Sequence, residues 1–231
     1  MPSRNISLKW PILLLVFIGA SCVFGLLWFI PAIPEVNSGN PVPREGTLTD
    51  AAITPNLTDT EYFQLALDIV GQNGWNAEDI SLKSIGRTLS CGSNASDLQI
   101  WIMLFRWRRV GLRWASDTGF VNLFPYRNEA TYYLSESQGS VSDSLFHETG
   151  IDLKEFRLDG ADALTLTNKD IEKFLPSSWV GICQIGVSNS QESKQPTWEV
   201  SYGSTTSDAV IRAKVNAVSG EVSWEESALP K

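Results

Sequence analysis

The chain has 231 residues, a formal net charge of −8 and 43% hydrophobic residues. That balance excludes nucleic acid as a general partner, because holding phosphates takes a basic surface. It supplies apolar material for one ordinary domain or two small ones beyond an N-terminal segment.

The first feature in chain order is Pro11 to Ile30, PILLLVFIGASCVFGLLWFI, which carries no charge. A bilayer-spanning helix needs about 20 such residues. Arg4 and Lys9 precede the run, and the first charge after it is Glu35. The positive-inside rule then makes residues 1–10 a cytoplasmic tail, 11–33 a transmembrane signal-anchor, and the remainder extracytoplasmic. The expected localisation is a cell membrane, single-pass. Two rivals stand beside the anchor: a cleaved signal peptide, and lipidation at Cys22 within Gly19-Ala20-Ser21-Cys22. The apolar run continues well past Cys22, which favours the uncleaved anchor.

Residues 34–57 read as an extended linker, with several prolines and no apolar periodicity. Thr58-Asp59-Thr60-Glu61 then has capping-box spacing. Tyr62, Leu65, Ala66, Ile69 and Val70 recur on one face, and Asn73-Gly74 supplies a left-handed stop. This predicts an amphipathic helix over 59–73. Strands are predicted at Ile80–Ser90, Leu98–Trp107, Val110–Ala115, Phe120–Leu123 and Glu129–Ser135, with a hairpin turn near Arg109–Gly111. Residues 136–150 read as a polar crossing loop.

The second half repeats the order, helix then strands. Asp159 can cap a helix carrying Ala161, Leu164, Ile171, Phe174 and Leu175 inward and ending before Pro176. Strands are predicted at Trp179–Val187, Pro196–Tyr202 and Val210–Val218, followed by a tight turn at Ser219-Gly220 into Glu221–Trp224.

Chemistry-bearing residues are sparse. Arg106, Trp107, Arg108, Arg109, Arg113 and Trp114 concentrate cations and indoles in an acidic chain. Such a patch can grip an anionic lipid headgroup, a carboxylate or an acidic partner face. The preferred reading is an amphipathic hairpin with a solvated cationic face and internal cation–π pairing. His147 is the single histidine and has no partner identifiable by spacing. Cys91 and Cys183 are the two cysteines outside the anchor; in an oxidising compartment a disulfide between them is expected, with two buried thiols as the alternative. No Cys/His spacing suggests a metal, and no cofactor is expected. There is no G-x-S-x-G elbow and no HExxH.

The C-terminal segment carries a resemblance. Pro196 to Tyr202 (PTWEVSY) and Val210 to Val222 (VIRAKVNAVSGEV) resemble the PepSY family, whose hallmark looks like a W/Y-x-V strand followed by V-[DN]-A-x-[ST]-G-x-V. The match spans about residues 155–226. It implies a helix followed by an antiparallel sheet in an extracytoplasmic module that regulates or binds and has no catalytic residues. The first half shares the order of elements without the hallmark, and reads as a divergent second copy.

The combined expectation is an α+β protein: an N-terminal transmembrane helix, an α+β unit at 58–150, and a PepSY-like unit at 151–231, in the manner of tandem PepSY-like or cystatin-like units. Its expected function is non-catalytic binding or regulation, with a protein or peptide partner. A structural or assembly subunit of a membrane complex is the alternative, and an unrecognised hydrolase the third reading.

Overall fold

The computed structural model describes residues 43–49, 52–90, 98–110, 113–136, 150–174, 182–190, 196–204 and 210–225. All belong to one unit, Pro41–Lys231. The strands are β1 (Arg44–Thr49), β2 (Ile80–Ser90), β3 (Gln99–Val110), β4 (Arg113–Phe124), β5 (Glu129–Ser135), β6 (Ile182–Ser190), β7 (Thr197–Ser204), β8 (Val210–Asn216) and β9 (Val222–Trp224). The helices are α1 (Asp59–Gln72) and α2 (Gly160–Asn168).

α1 forms where its sequence directs. Thr58 accepts from the Glu61 N–H while the Glu61 side chain accepts from the Thr58 N–H, closing the capping box. Tyr62, Ala66, Ile69 and Val70 are buried against the sheet. Each large apolar side chain removed from water there contributes about 1.5–3 kcal/mol. Gly74, at φ +94°, turns the chain out of the helix.

α2 is shorter than expected, and its buried face differs. Gly160, Ala163 and Thr167 face inward, whereas Ala161 is exposed and Leu164 half-buried. The Thr167 hydroxyl accounts for the shift. It donates to the Ala163 carbonyl and meets the Tyr202 hydroxyl, so a polar side chain sits in the core with its hydrogen bonds made. Beyond α2 the chain tightens into a short 3-10 turn at Ile171–Lys173.

The fold class needs correcting. All nine strands join one antiparallel sheet in the order β1-β5-β4-β3-β2-β6-β7-β8-β9. The described residues are therefore nearly all-sheet, not α+β in two separate units. No helix among them is long and apolar enough to cross a membrane; the expected anchor, residues 11–33, lies outside the described residues. Two differences explain the excess of strand. Arg44–Thr49, inside the stretch read as linker, pairs with β5 at every position. Of the segments read as separate strands at Val110–Ala115 and Phe120–Leu123, Arg113–Ala115 and Phe120–Leu123 belong to the single strand β4, and Val110 ends β3. At β1 a distant partner overrides local propensity, and at β4 pairing on both sides with β3 and β5 carries the strand through the interval between the two segments.

The sheet has an internal logic. α1 precedes the meander β2-β3-β4-β5, and α2 precedes the meander β6-β7-β8-β9. Their first strands meet antiparallel at a central seam, Gly86–Ser90 against Gln184–Ser188. Both helices lie on the same face, α1 over the first half and α2 over the second. The core between helices and sheet holds Ile85, Ile100, Ile102, Leu104, Val121, Trp198, Val200, Tyr202 and Ile211, all at most 1% exposed.

Candidate functional site

The seam is a polar junction inside the core. Arg87 on β2 and Asp59 at the start of α1 are 5% and 3% exposed. The Arg87 guanidinium donates twice to Asp59 Oδ1, at 2.6 and 3.1 Å. Asp59 Oδ2 accepts from the backbone N–H of Gly160, the first residue of α2, at 2.6 Å. Arg87 also stacks over the Tyr62 ring at 5.7 Å and lies 3.7 Å from Asp159. One carboxylate thus ties together both helices and the seam strand. Burial pushes the Asp59 carboxyl above its ordinary range, outweighing the opposing pull of Arg87 and of the Gly160 N–H.

The arginine and tryptophan patch divides in the structure. Arg106 and Arg108 point to the helix-bearing face. Asp117, fully buried on β4, accepts from Arg106 Nε at 2.9 Å and from Arg108 Nε at 3.0 Å. Arg106 also donates to Glu136 at 3.1 Å and lies over the Trp75 ring at 4.5 Å. The Asp117 hydrogen bond holds the Arg108 proton more firmly still. Trp107 belongs to the opposite face, edge-on to Phe105 with ring centroids 6.2 Å apart. The side chains of Arg109, Arg113 and Trp114 lie outside the described residues, although their backbones pair in the β3–β4 hairpin. The hairpin does not bring the described members together on one surface.

Cys91, the Cys183 side chain and His147 also lie outside the described residues. Among the described residues no group of three or more His, Cys, Asp or Glu is placed to hold a metal.

The face opposite the helices divides by half. Beyond the seam it is polar: Ser188, Glu199, Ser201, Arg212 and Lys214 occupy successive positions across β6, β7 and β8. On the first half it is aromatic. Trp101 and Met103 on β3, Phe120 on β4 and Tyr133 on β5 share this surface, with Phe120 and Tyr133 38% and 39% exposed. The Trp101 indole lies across Gly86, where a Cβ would come within 2.4 Å of it. The sequence held a signal for this surface. LQIWIMLFRW is apolar at both parities, and a strand apolar on both sides has a second surface to account for. Asp117 and the Asp59–Arg87 pair left no such trace, since an acid in an amphipathic strand or a first helical turn reads as a solvated charge.

Comparison of the chain with protein-family models, with curated proteins and with solved structures gives no match.

Proposed function

We propose that this chain is a non-catalytic extracytoplasmic binding or regulatory protein of PepSY-like design, held at a membrane through its N-terminal hydrophobic run. The observation that carries the reading is the one-sided sheet. Both helices cover a single face, and the first half of the other face leaves large aromatic side chains exposed. The largest apolar patch on a protein surface is often a functional one.

The PepSY-like part of the reading draws on the second half. α2 leads into an antiparallel meander. Its last hairpin runs Val215-Asn216-Ala217-Val218-Ser219-Gly220-Glu221-Val222, with Gly220 at φ +76°. The Asn216 side chain accepts from the Val218 and Ser219 N–H groups, giving Asn a turn-closing role there. The membrane part draws on Pro11–Ile30 and the flanking Arg4 and Lys9.

The test is crosslinking in native membranes, using a photoreactive residue in place of Phe120 and, as control, one in place of Arg212 on the polar half. The reading expects an extracytoplasmic partner captured at 120 and not at 212. Recovery of the chain in the soluble cytoplasmic fraction, or equal labelling at both positions, counts against it.

A further inference from the structure

Five strands lay two rows of side chains side by side on the aromatic half of the open face. One row is Glu45, Tyr133, Phe120, Met103 and Ser84. The next is Thr47, Thr131, Asn122, Trp101 and Gly86. At the rim, Glu45, Thr47, Asn122, Thr131 and Tyr133 border a depression of about 480 Å³.

The polar groups between the rings are held in place. Gln99 Nε2 donates to Asn122 Oδ1 at 3.0 Å, and Asn122 Nδ2 donates to Thr131 Oγ1 at 3.4 Å. That ladder fixes which way the Asn122 amide points and leaves its second N–H for a ligand. Trp101 is seated over Gly86, with indole atoms where a Cβ would otherwise stand.

Three magnitudes decide what fits. With strands about 4.8 Å apart and same-face residues about 6.8 Å apart along each strand, ten positions cover roughly 330 Å². A stable protein interface takes about 800 Å² from each partner. Those two rows by themselves are therefore sized for a short extended ligand. Charge decides next: Glu45 is the one charged side chain in the two rows, so nothing there neutralises a phosphate or carboxylate. A peptide is disfavoured on different grounds. A peptide that adds as a β-strand pairs with backbone groups at a sheet edge, and a sheet face offers none.

What remains is a neutral ligand whose own surface alternates apolar and hydrogen-bonding strips. We propose that this face binds a neutral oligosaccharide. The C–H faces of its rings lie on Phe120 and Tyr133, where the electron-rich ring face attracts weakly positive C–H groups. Its hydroxyls exchange hydrogen bonds with Asn122, Thr131, Thr47 and Glu45. The proposal deepens the binding reading above and rests on it.

The test uses the full chain in lipid nanodiscs, which avoids sugar-headed detergents. Cellotetraose, chitotetraose and maltotetraose are titrated by calorimetry and by tryptophan fluorescence. Saturable binding of at least one is expected. Phe120→Ala or Tyr133→Ala weakens it by at least about tenfold while circular dichroism and melting are kept; Arg212→Ala, on the polar half, leaves it unchanged. Should Phe120→Ala fold poorly, Phe120→Leu keeps apolar bulk, loses the ring and carries the same expectation. Absence of saturable binding, or binding indifferent to both aromatic positions, overturns the proposal. If glycans fail while the photoreactive residue at 120 captures an extracytoplasmic protein, the oligosaccharide falls and the binding reading stands. If neither occurs, both fall.

Discussion

At the scale of single residues, the Asp59 carboxylate does the most for the fold. It answers two donors on Arg87 and one backbone N–H of α2, all inside the core. Removing one partner of such a pair leaves a buried charge uncompensated. Asp59→Ala is expected to cost about 3–5 kcal/mol, read as a lowered urea midpoint at neutral pH. The pH dependence has a definite sign. The folded Asp59 carboxyl holds its proton to higher pH than the unfolded one, so the proton-linked part of its contribution is full below the unfolded value and is lost as pH rises through the folded one, on top of a hydrogen-bonding part that does not depend on pH. Denaturant midpoints of the wild type minus those of Asp59→Asn should therefore decline over that rise; a difference that grows with pH would reverse the assignment. A smaller effect is expected at Tyr202, whose hydroxyl meets Thr167 and donates to Asn168 at 2.9 Å. Tyr202→Phe should lower stability by about 0.5–1.5 kcal/mol in the same measurement.

At the scale of elements, β2 is hemmed in on both sides. A Cβ at Gly86 would lie 2.4 Å from the Trp101 ring and 2.5 Å from the Val187 carbonyl oxygen. The second is backbone and has little room to yield. Gly86→Ala should cost about 1–3 kcal/mol, seen as a lower melting temperature accompanied by a changed near-ultraviolet signal from Trp101. A normal melting temperature would mean that the seam can open at that rung. The same elements show what the sequence could and could not reveal. α1 was legible because cap, apolar face and stop are all local to residues 58–74. β1 was not: Arg44–Thr49 sits among prolines, and its partner β5 begins 80 residues after β1 ends. The aromatic face was half legible, since both parities of β3 are apolar, but only pairing with β4 and β5 sets Phe120 beside Tyr133. The arginine cluster was visible as composition, yet its use depends on Asp117, which becomes its neighbour only when the β3–β4 register is fixed.

At the scale of the whole molecule, the seam decides cooperativity. The two meanders share one hydrogen-bonded sheet and a polar junction that touches both helices. Unfolding followed by tryptophan fluorescence and by far-ultraviolet circular dichroism should give coincident transitions. Two separated transitions would mean that each half carries its own stability. The seam also sets an order in time. Within each meander the strand pairings are hairpins between sequence neighbours, which close early, whereas Gly86–Ser90 must wait for Gln184–Ser188, about a hundred residues later. Until those residues arrive, the growing first half displays a strand with a row of unanswered N–H and C=O groups. Such an edge recruits any other chain in the same state. The central strand of the finished sheet is thus the sticky rim of the unfinished one, and a crowd of half-made chains is where this protein is most exposed to aggregation.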